Sequence, residues 1–420
     1  MKRKIILKGP LLTRSGYGEQ TRFALRALRS RPDLFDIFIQ PLQWGQTSWL
    51  SLVDEERRWI DHTIEKTIGF IQQKGQFDMS LQVTIPNEWE KMAPVNIGYT
   101  AGIETNKVAP VWLQKANETM DSVIVVSNHS KAVYENTVAM ATNEQNKEEF
   151  EYRLQVPITA VNYPVKIYEN LPELELAVET NFNFLAVAQF GPRKNLPNTL
   201  KWFIEEFQDD EDVGFIVKTN IAKNCHMDRE KLMTDLKEFK DSMPPHKCKI
   251  YLLHGDMSDE EIHALYKHEK VSALVALPHG EGFGLPIFEA AYSGLPVVSV
   301  GWSGQLDFLV DEENNENFYN VAFDLQPVQK EVVWENVLIA ESMWAYAREQ
   351  SAKEKMRECF TDISENKEDS MALNSCHYAI ALRERFSEDS MYKQFIDCII
   401  PEQELKQMEE EIDSLLSDLL

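Results

Sequence analysis

"VSALVALPHGEGFGLPIFEAAYSGLPVVS", residues 271 to 299, reads as an apolar strand, a glycine-rich turn, a short helix and a second apolar strand. The first run ends at Pro278, and Pro286 falls in the first turn of the helix, where a missing N–H costs little. That order of elements builds a parallel sheet covered by helices. Gly280, Gly282 and Gly284 keep side chains out of the turn, so backbone N–H groups and a helix N-terminus face its occupant, an arrangement suited to phosphate. Glu281 stands at the mouth of the turn, able to reach ligand hydroxyls; Glu289, two turns into the helix, can accept from ribose hydroxyls. Spacing alone is equally compatible with a turn acid and a solvated helix residue. A dinucleotide fingerprint is excluded, because Ile287 stands where its third glycine would be.

The same alternation extends in both directions. In the second half, residues 183–190, 213–220, 248–255 and 295–301 read as further buried strands beside 271–278. In the first half, residues 4–7, 35–42, 95–100 and 121–127 do, and 158–165 is strand-like. Residues 135–155 are polar and read as a loop or a surface helix; from about 337 onward the chain reads as helical and acidic. At 420 residues with 43% hydrophobic side chains, two domains of roughly 200 residues each are expected. The division runs 1–170 and 181–385, both Rossmann-like, on either side of the acidic connector around Pro172. Residues 386–420 form C-terminal helices that cross back to the first domain or mediate oligomerisation. In that tail Leu405, Met408, Ile412, Leu415 and Leu419 alternate at spacings of three and four, a two-heptad seam for docking on the chain itself or for a homodimer. Ligands of such sheets lie at the carboxyl ends of the strands, here in a cleft between the halves.

Composition narrows the function. No run of about 18 apolar residues occurs, so no membrane span is expected. Lys8, Gly9 and Pro10 interrupt the apolar opening, which makes it a strand rather than a signal peptide. Five cysteines without C-x-x-C spacing argue against a disulfide framework or thiolate zinc, and point to a cytoplasmic protein. The net charge of -25 disfavours tight nonspecific nucleic-acid binding.

"HGEGFGLPIFEA" (279–290) resembles the E-x7-E signature of the retaining glycosyltransferases of family 4, the glycosyl transferases group 1, which have the two-domain glycosyltransferase-B fold. Its neighbours agree: "LAVAQFGPRKNLPNTLKWF" resembles the family's strand and R-K-N turn, "GFIVKTN" the next strand with its lysine, and "LLHGDMSDEEIHALYK" the loop and helix beside the nucleobase. "GYTAGIETNKVAPVWLQKANETMDSVIVVSNHSKAV" resembles part of the first domain, and the likeness runs from about residue 9 to 395. The resemblance implies transfer of a sugar from a nucleoside diphosphate donor to a hydroxyl acceptor with retention, without metal or other cofactor. It places Glu281 on the donor sugar, Glu289 on the ribose, and Arg193 with Lys194 or Lys218 on the diphosphate; catalysis falls to Glu281, Arg193 and Lys218. Gly282, Phe283, Gly284 and Leu285 join the donor site. Many members have arginine where this chain has Gln189. An epimerase or phosphorylase on the same fold, or a glycosyltransferase-like subunit that binds without turnover, are the alternatives.

The first domain is then the acceptor side. Its opening strand leads to Gly16 and Gly18, a glycine loop able to approach the donor from the other wall, or simply a tight turn. Thr21 in place of a third glycine disfavours a nicotinamide enzyme. Residues 1–32 carry nine basic side chains against Glu19 alone. Arg22, Arg26 and Arg29 recur on one outward stripe of a helix, a solvated face or an attraction for an anionic acceptor; Glu104 is added to that side. A glycan, a lipid-linked sugar and a modified DNA base all fit as acceptors. His279 and Glu281 form an H-x-E as in zinc deaminases, but no P-C-x-x-C follows. His254, His263 and His268 read as surface residues.

Overall fold

The computed structural model describes residues 2–45, 47–143 and 147–400. Sixteen strands can be followed among them. The first sheet takes β1 (Arg3–Gly9), β2 (Phe35–Pro41), β3 (Met79–Val83), β4 (Val95–Thr100), β5 (Ser122–Val125) and, after a separate antiparallel hairpin of β6 (Ala139–Thr142) and β7 (Glu149–Tyr152), β8 (Ile158–Ala160). Its order is β2-β1-β3-β4-β5-β8, with every pairing parallel. The second sheet takes β9 (Phe182–Val187), β10 (Val213–Lys218), β11 (Lys249–Leu253), β12 (Ala273–Ala276), β13 (Val297–Val300) and β14 (Tyr319–Val321), ordered β11-β10-β9-β12-β13-β14 and again all parallel. Chain order reverses at β1/β3 in one sheet and at β9/β12 in the other, and ligands of doubly wound sheets bind at such switch points.

The buried runs form strands because both faces are covered by helices, so apolar residues need not alternate with polar ones. β3 is fully buried although it carries Ser80 and Gln82. Both are satisfied: Ser80 Oγ donates to Asn96 Oδ1 at 2.9 Å, and Gln82 Nε2 donates to the Glu90 carbonyl at 2.6 Å. Two sequence expectations need correction. Within 135–155, read as a loop or surface helix, residues 139–142 and 149–152 pair as the antiparallel strands β6 and β7. The region after 337 is not wholly helical, because β16 (Met343–Ala347) pairs antiparallel with β15 (Phe323–Pro327). Three helices then follow, Glu349–Ser364, Met371–Arg385 and Glu388–Ile399. The seam expected at Leu405 to Leu419 lies outside the described residues.

Residues 161–180 connect the two sheets without helix or strand. The halves touch extensively beyond this link. The Glu388–Ile399 helix returns to the first half, where the rings of Tyr392 and Phe395 lie 6.0 and 5.2 Å from Phe23 of the Gly16–Ser30 helix. Tyr163 and Phe283 meet across the halves at 5.1 Å. Ser127 Oγ donates to the Gly282 carbonyl at 2.6 Å, while Asp307 accepts from the Asn128 amide and from Asn162 Nδ2, both at 2.8 Å. Two glycines of the 279–284 turn make this approach possible. A Cβ on Gly282 would sit 2.0 Å from the Ala101 carbonyl oxygen, and one on Gly280 would sit 2.1 Å from that of Glu104.

Gly282→Ala therefore forces two backbones apart. It is expected to cost about 1–3 kcal/mol, the usual size of overpacking, and to enlarge the radius of gyration. Chemical denaturation and small-angle scattering would check both, and an unchanged midpoint with unchanged scattering would show that the halves are not held at this point.

Candidate active site

The turn after β12 is fixed before it meets any ligand. His279 packs face to face on Trp344 with ring centroids 4.9 Å apart, and its Nδ1 lies 2.7 Å from the Ala345 carbonyl. The Ala345 amide returns a bond to the His279 carbonyl at 2.8 Å, so β16 clasps the start of the turn. Gly284 takes φ = 97°, a left-handed conformation that favours glycine, and caps the Leu285–Tyr292 helix. Within this frame Glu281 is 7% exposed. Its amide donates to Ser303 Oγ at 2.9 Å.

The Glu281 carboxylate is gripped by two cations. Arg193 Nη1 lies 2.9 Å from one oxygen, and Lys194 Nζ donates to the other. Both come from the short turn Pro192–Lys194 after β9, which is tied to the glycine turn where the His279 amide donates to the Arg193 carbonyl at 2.8 Å. Arg193 also donates to the Gly280 carbonyl at 2.8 Å and faces Glu104 of the first half at 3.3 Å. Burial alone would raise the Glu281 pKa, but Arg193 and Lys194 outweigh it and hold the carboxyl below its usual range. Lys194 moves down, because burial and Arg193 oppose its charge more than Glu281 supports it. Arg193 is held up against burial by Glu104 and Glu281. Glu281 is thus an acceptor-only carboxylate at neutral pH.

Lys218 ends β10 beside an open cavity that also borders Gln189, Asn224 and Asp256. Its Nζ donates to the Gly255 carbonyl at 2.6 Å. Burial lowers its pKa, with Asp256 opposing that shift and Arg14 adding to it. Gln189 Nε2 is occupied by the Ile221 carbonyl at 2.7 Å. Glu289 is half-buried on the Leu285–Tyr292 helix and accepts from the Tyr266 hydroxyl at 3.2 Å. Arg193, Lys194, Glu281 and Glu104 are thus brought together, whereas Lys218 borders the cavity at the end of β10 and Glu289 faces Tyr266 and the charges of Lys166, Asp259 and Glu19.

Other expected site residues take different places. Gly16 and Gly18 form the first turn of the Gly16–Ser30 helix and not a loop, with Ser15 Oγ accepting from the Gly18 amide. A Cβ on Gly18 would meet the Thr13 carbonyl oxygen at 2.1 Å, so its glycine serves backbone packing, while Gly16 has open space beside it. The Phe283 ring is buried among Tyr163, Phe288 and Phe308, which leaves only its backbone free to line the cleft. Leu285 is half-buried. Two of the three histidines expected at the surface are inside: His263 Nε2 bonds the Tyr292 hydroxyl, and His254 Nε2 lies 3.2 Å from Asp228.

The outward arginine stripe is also corrected. Arg22 is 8% exposed and donates to the Leu11 and Thr13 carbonyls at 2.8 and 3.0 Å. Arg22 and Arg26 share Glu19, Arg26 also grips Glu56 at 2.7 Å, and Arg29 lies 4.4 Å over the Trp59 ring. The concentrated positive charge is met by the chain's own acids. Lys166 of the connector joins this group, reaching Glu19 at 2.8 Å and Asp259 of the second half at 2.6 Å. Despite burial, Lys166, Arg22 and Arg26 hold the Glu19 pKa far below normal. Lys166 lies in no motif, and the motif that contains Asp259 does not connect it with Glu19; only folding brings the three together.

Residues 169–321 match the family model of glycosyl transferases group 1. Over 196 residues the chain is 27% identical to the serotype-specific mannosyltransferase WbdA of Escherichia coli, covering 45% of this chain and 22% of that protein; it spans about a fifth of the curated relatives it matches. Among solved structures, sucrose-phosphate synthase of Thermosynechococcus elongatus is similar with a TM-score of 0.58 at 12% identity, over 99% of this chain and 100% of that one. HepE of Anabaena in complex with UDP-glucose is similar with a TM-score of 0.58 at 12% identity, over 94% and 99%. The two facing parallel sheets are those of the glycosyltransferase-B fold.

Glu289 offers a test of the site's electrostatics. Burial, reinforced by Asp259 and Glu19 and opposed by Lys166 and Tyr266, raises its pKa from 4.5 to about 7. The folded state therefore keeps this proton to higher pH than the unfolded chain, and the cost of ionisation enters as pH rises from 4.5 to 7. Glu289→Gln avoids that cost. Its stability relative to the parent should be unchanged near pH 4, grow through this window and level off above pH 7, at no more than about 3 kcal/mol. Denaturation midpoints across pH would show it; a pH-independent difference would mean that Glu289 titrates normally.

Proposed function

From the match of residues 169–321 to the family model of glycosyl transferases group 1, we propose that the protein moves a sugar from a nucleoside diphosphate donor to a hydroxyl acceptor, with retention at the anomeric carbon and without a metal ion. The observation that carries this reading is the ionised Glu281, buried at a glycine-lined turn between Arg193 and Lys194. It joins a charge acceptor for sugar hydroxyls to cations for a diphosphate in one cluster, at the switch point of the second sheet.

In this reading Glu281 accepts hydrogen bonds from the donor sugar and Glu289 from the ribose. The backbone of Gly282 to Leu285 and the start of the helix at Gly16 line the donor. As the bond from the anomeric carbon to the phosphate oxygen breaks, the sugar becomes cationic and the diphosphate gains negative charge. Arg193, Lys218 and the N-terminus of the Leu285–Tyr292 helix stabilise that charge from preorganised positions, with Lys194 beside them. The acceptor hydroxyl attacks on the face that the phosphate leaves, and the departing phosphate oxygen takes its proton. These cations supply the charge that a metal would otherwise provide. Glu104 faces the reaction from the first half, whose wall receives the acceptor. Arg22 and Arg26 have their charges engaged by Glu19 and Glu56, so an anionic acceptor is not required by this reading.

Screening UDP-, GDP-, ADP-, dTDP- and CMP-sugars by thermal shift in EDTA identifies the donor, since a ligand of the folded state raises the melting temperature. With that donor, Glu281→Gln should lower turnover by about 100-fold or more, as for loss of a preorganised electrostatic group, and leave nucleoside diphosphate binding nearly intact. Glu289→Ala should weaken that binding about tenfold, the worth of one charge-assisted hydrogen bond. Equal loss of nucleoside diphosphate binding in both variants would contradict the assignment of roles, and the absence of any shift would remove the reading.

A further inference from the structure

Most cations around the cleft are neutralised within the chain, but two are not. Among the described residues, no carboxylate lies within ion-pair distance of Arg14 or Lys218. The two residues come from opposite halves and border the same cavity at the carboxyl ends of β9 and β10. They are close enough for Arg14 to depress the Lys218 pKa. Arg14 is fixed in position. Its amide donates to the Ser48 carbonyl at 2.7 Å, and its Nη1 reaches across the cleft to the Met257 carbonyl at 2.9 Å. Its Nε is buried without a hydrogen-bond partner. Asp256, the acid on the rim, is held by Asn224 Nδ2 at 2.7 Å. Thr219 also borders this cavity, and its Oγ1 is buried without a hydrogen-bond partner.

Like charges are not held together across a cleft without cause. Two cations facing one cavity, with unused donors beside them, lower their mutual repulsion when an anion enters. In a chain of net charge -25, that local excess is the more specific. We infer that Arg14 and Lys218 form a two-walled clamp for the diphosphate of the donor, with Arg14 supplying from the first half the charge that Gln189, on the same cavity, does not. The inference rests on the nucleoside diphosphate donor of the proposed function and adds to it. Because the clamp draws on both halves, donor binding holds them together, and donor affinity depends on a residue outside the group 1 domain.

The test measures binding of UDP, GDP, ADP, uridine, guanosine, adenosine and inorganic pyrophosphate by calorimetry at several salt concentrations, for the parent, Arg14→Gln, Arg14→Lys and Arg14→Gln/Gln189→Arg. The expected result is a loss of about tenfold or more for the favoured nucleoside diphosphate in Arg14→Gln. Arg14→Lys should retain part of the affinity, and Gln189→Arg should restore it from the adjacent wall. The matching nucleoside should bind all four proteins equally, and Arg14→Gln should show a shallower salt dependence. Equal affinity of the parent and Arg14→Gln for the diphosphate would overturn the clamp, as would an equal loss for the nucleoside, which would mark Arg14 as a packing residue between the halves. Failure of all these probes to bind the parent would overturn the clamp as well. If the diphosphate results hold but no nucleotide sugar is turned over, the clamp stands and the transfer reading fails.

Discussion

A carboxylate buried where two domains meet cannot stay ionised unless cations are brought to it, and Glu281 sets that condition for the whole cleft. Uncompensated burial of such a charge would cost several kcal/mol or neutralise it. Arg193 and Lys194 meet the requirement from the turn after β9, so the end of that strand must lie against the end of β12. The sheet order places those two strands side by side at the point where chain direction reverses. The His279 clasp on β16 and the left-handed Gly284 then keep the carboxylate aimed at the cleft. Arg193 extends the same network to Glu104, so the electrostatics of the second half reach the wall of the first.

The contact between the halves follows the same logic of closeness and compensation. Gly280 and Gly282 let the glycine turn touch the backbone at Ala101 and Glu104. On the far side, Glu19 gathers Arg22, Arg26 and Lys166, and Lys166 reaches on to Asp259. The connector is thereby anchored in both domains by one lysine. Removing a member of the largely buried part, Glu19, Arg22 or Lys166, would leave a charge uncompensated, which is costly, whereas Asp259 is mostly exposed. The joint therefore has a defined resting geometry, against which any opening for substrate must work.

The two α/β halves were legible in the sequence because their central strands are continuous runs of Val, Ile, Leu and Phe, which only a sheet covered on both faces accommodates. β3 escaped notice because Ser80 and Gln82 interrupt its apolar pattern, and nothing local reveals that Asn96 and Glu90 satisfy them. The β6–β7 hairpin was hidden by its exposed, polar composition, and β16 by the acidic, helix-rich stretch around it. The turn carrying Glu281 was legible from its glycines and flanking prolines. Its partner Arg193, 88 positions earlier in the chain, was reached through family resemblance and not through spacing. Helical periodicity identifies the shared face of Arg22, Arg26 and Arg29 but not what packs on it; Glu56 and Trp59 come from a different helix. Arg14 gave no signal, since a single arginine before a helix cap is ordinary until the fold sets it opposite Lys218.

The central claim, retaining transfer in the cleft built around Glu281, is tested most directly by the stereochemistry of the product. Proton NMR can follow the anomeric signal from the first turnovers, with an α-linked nucleotide sugar that binds the protein, a hydroxyl acceptor that it glycosylates, and EDTA present. The account requires an α-linked product formed at full rate without metal. A β-linked first product, or activity that appears only when a divalent cation is restored, would contradict it.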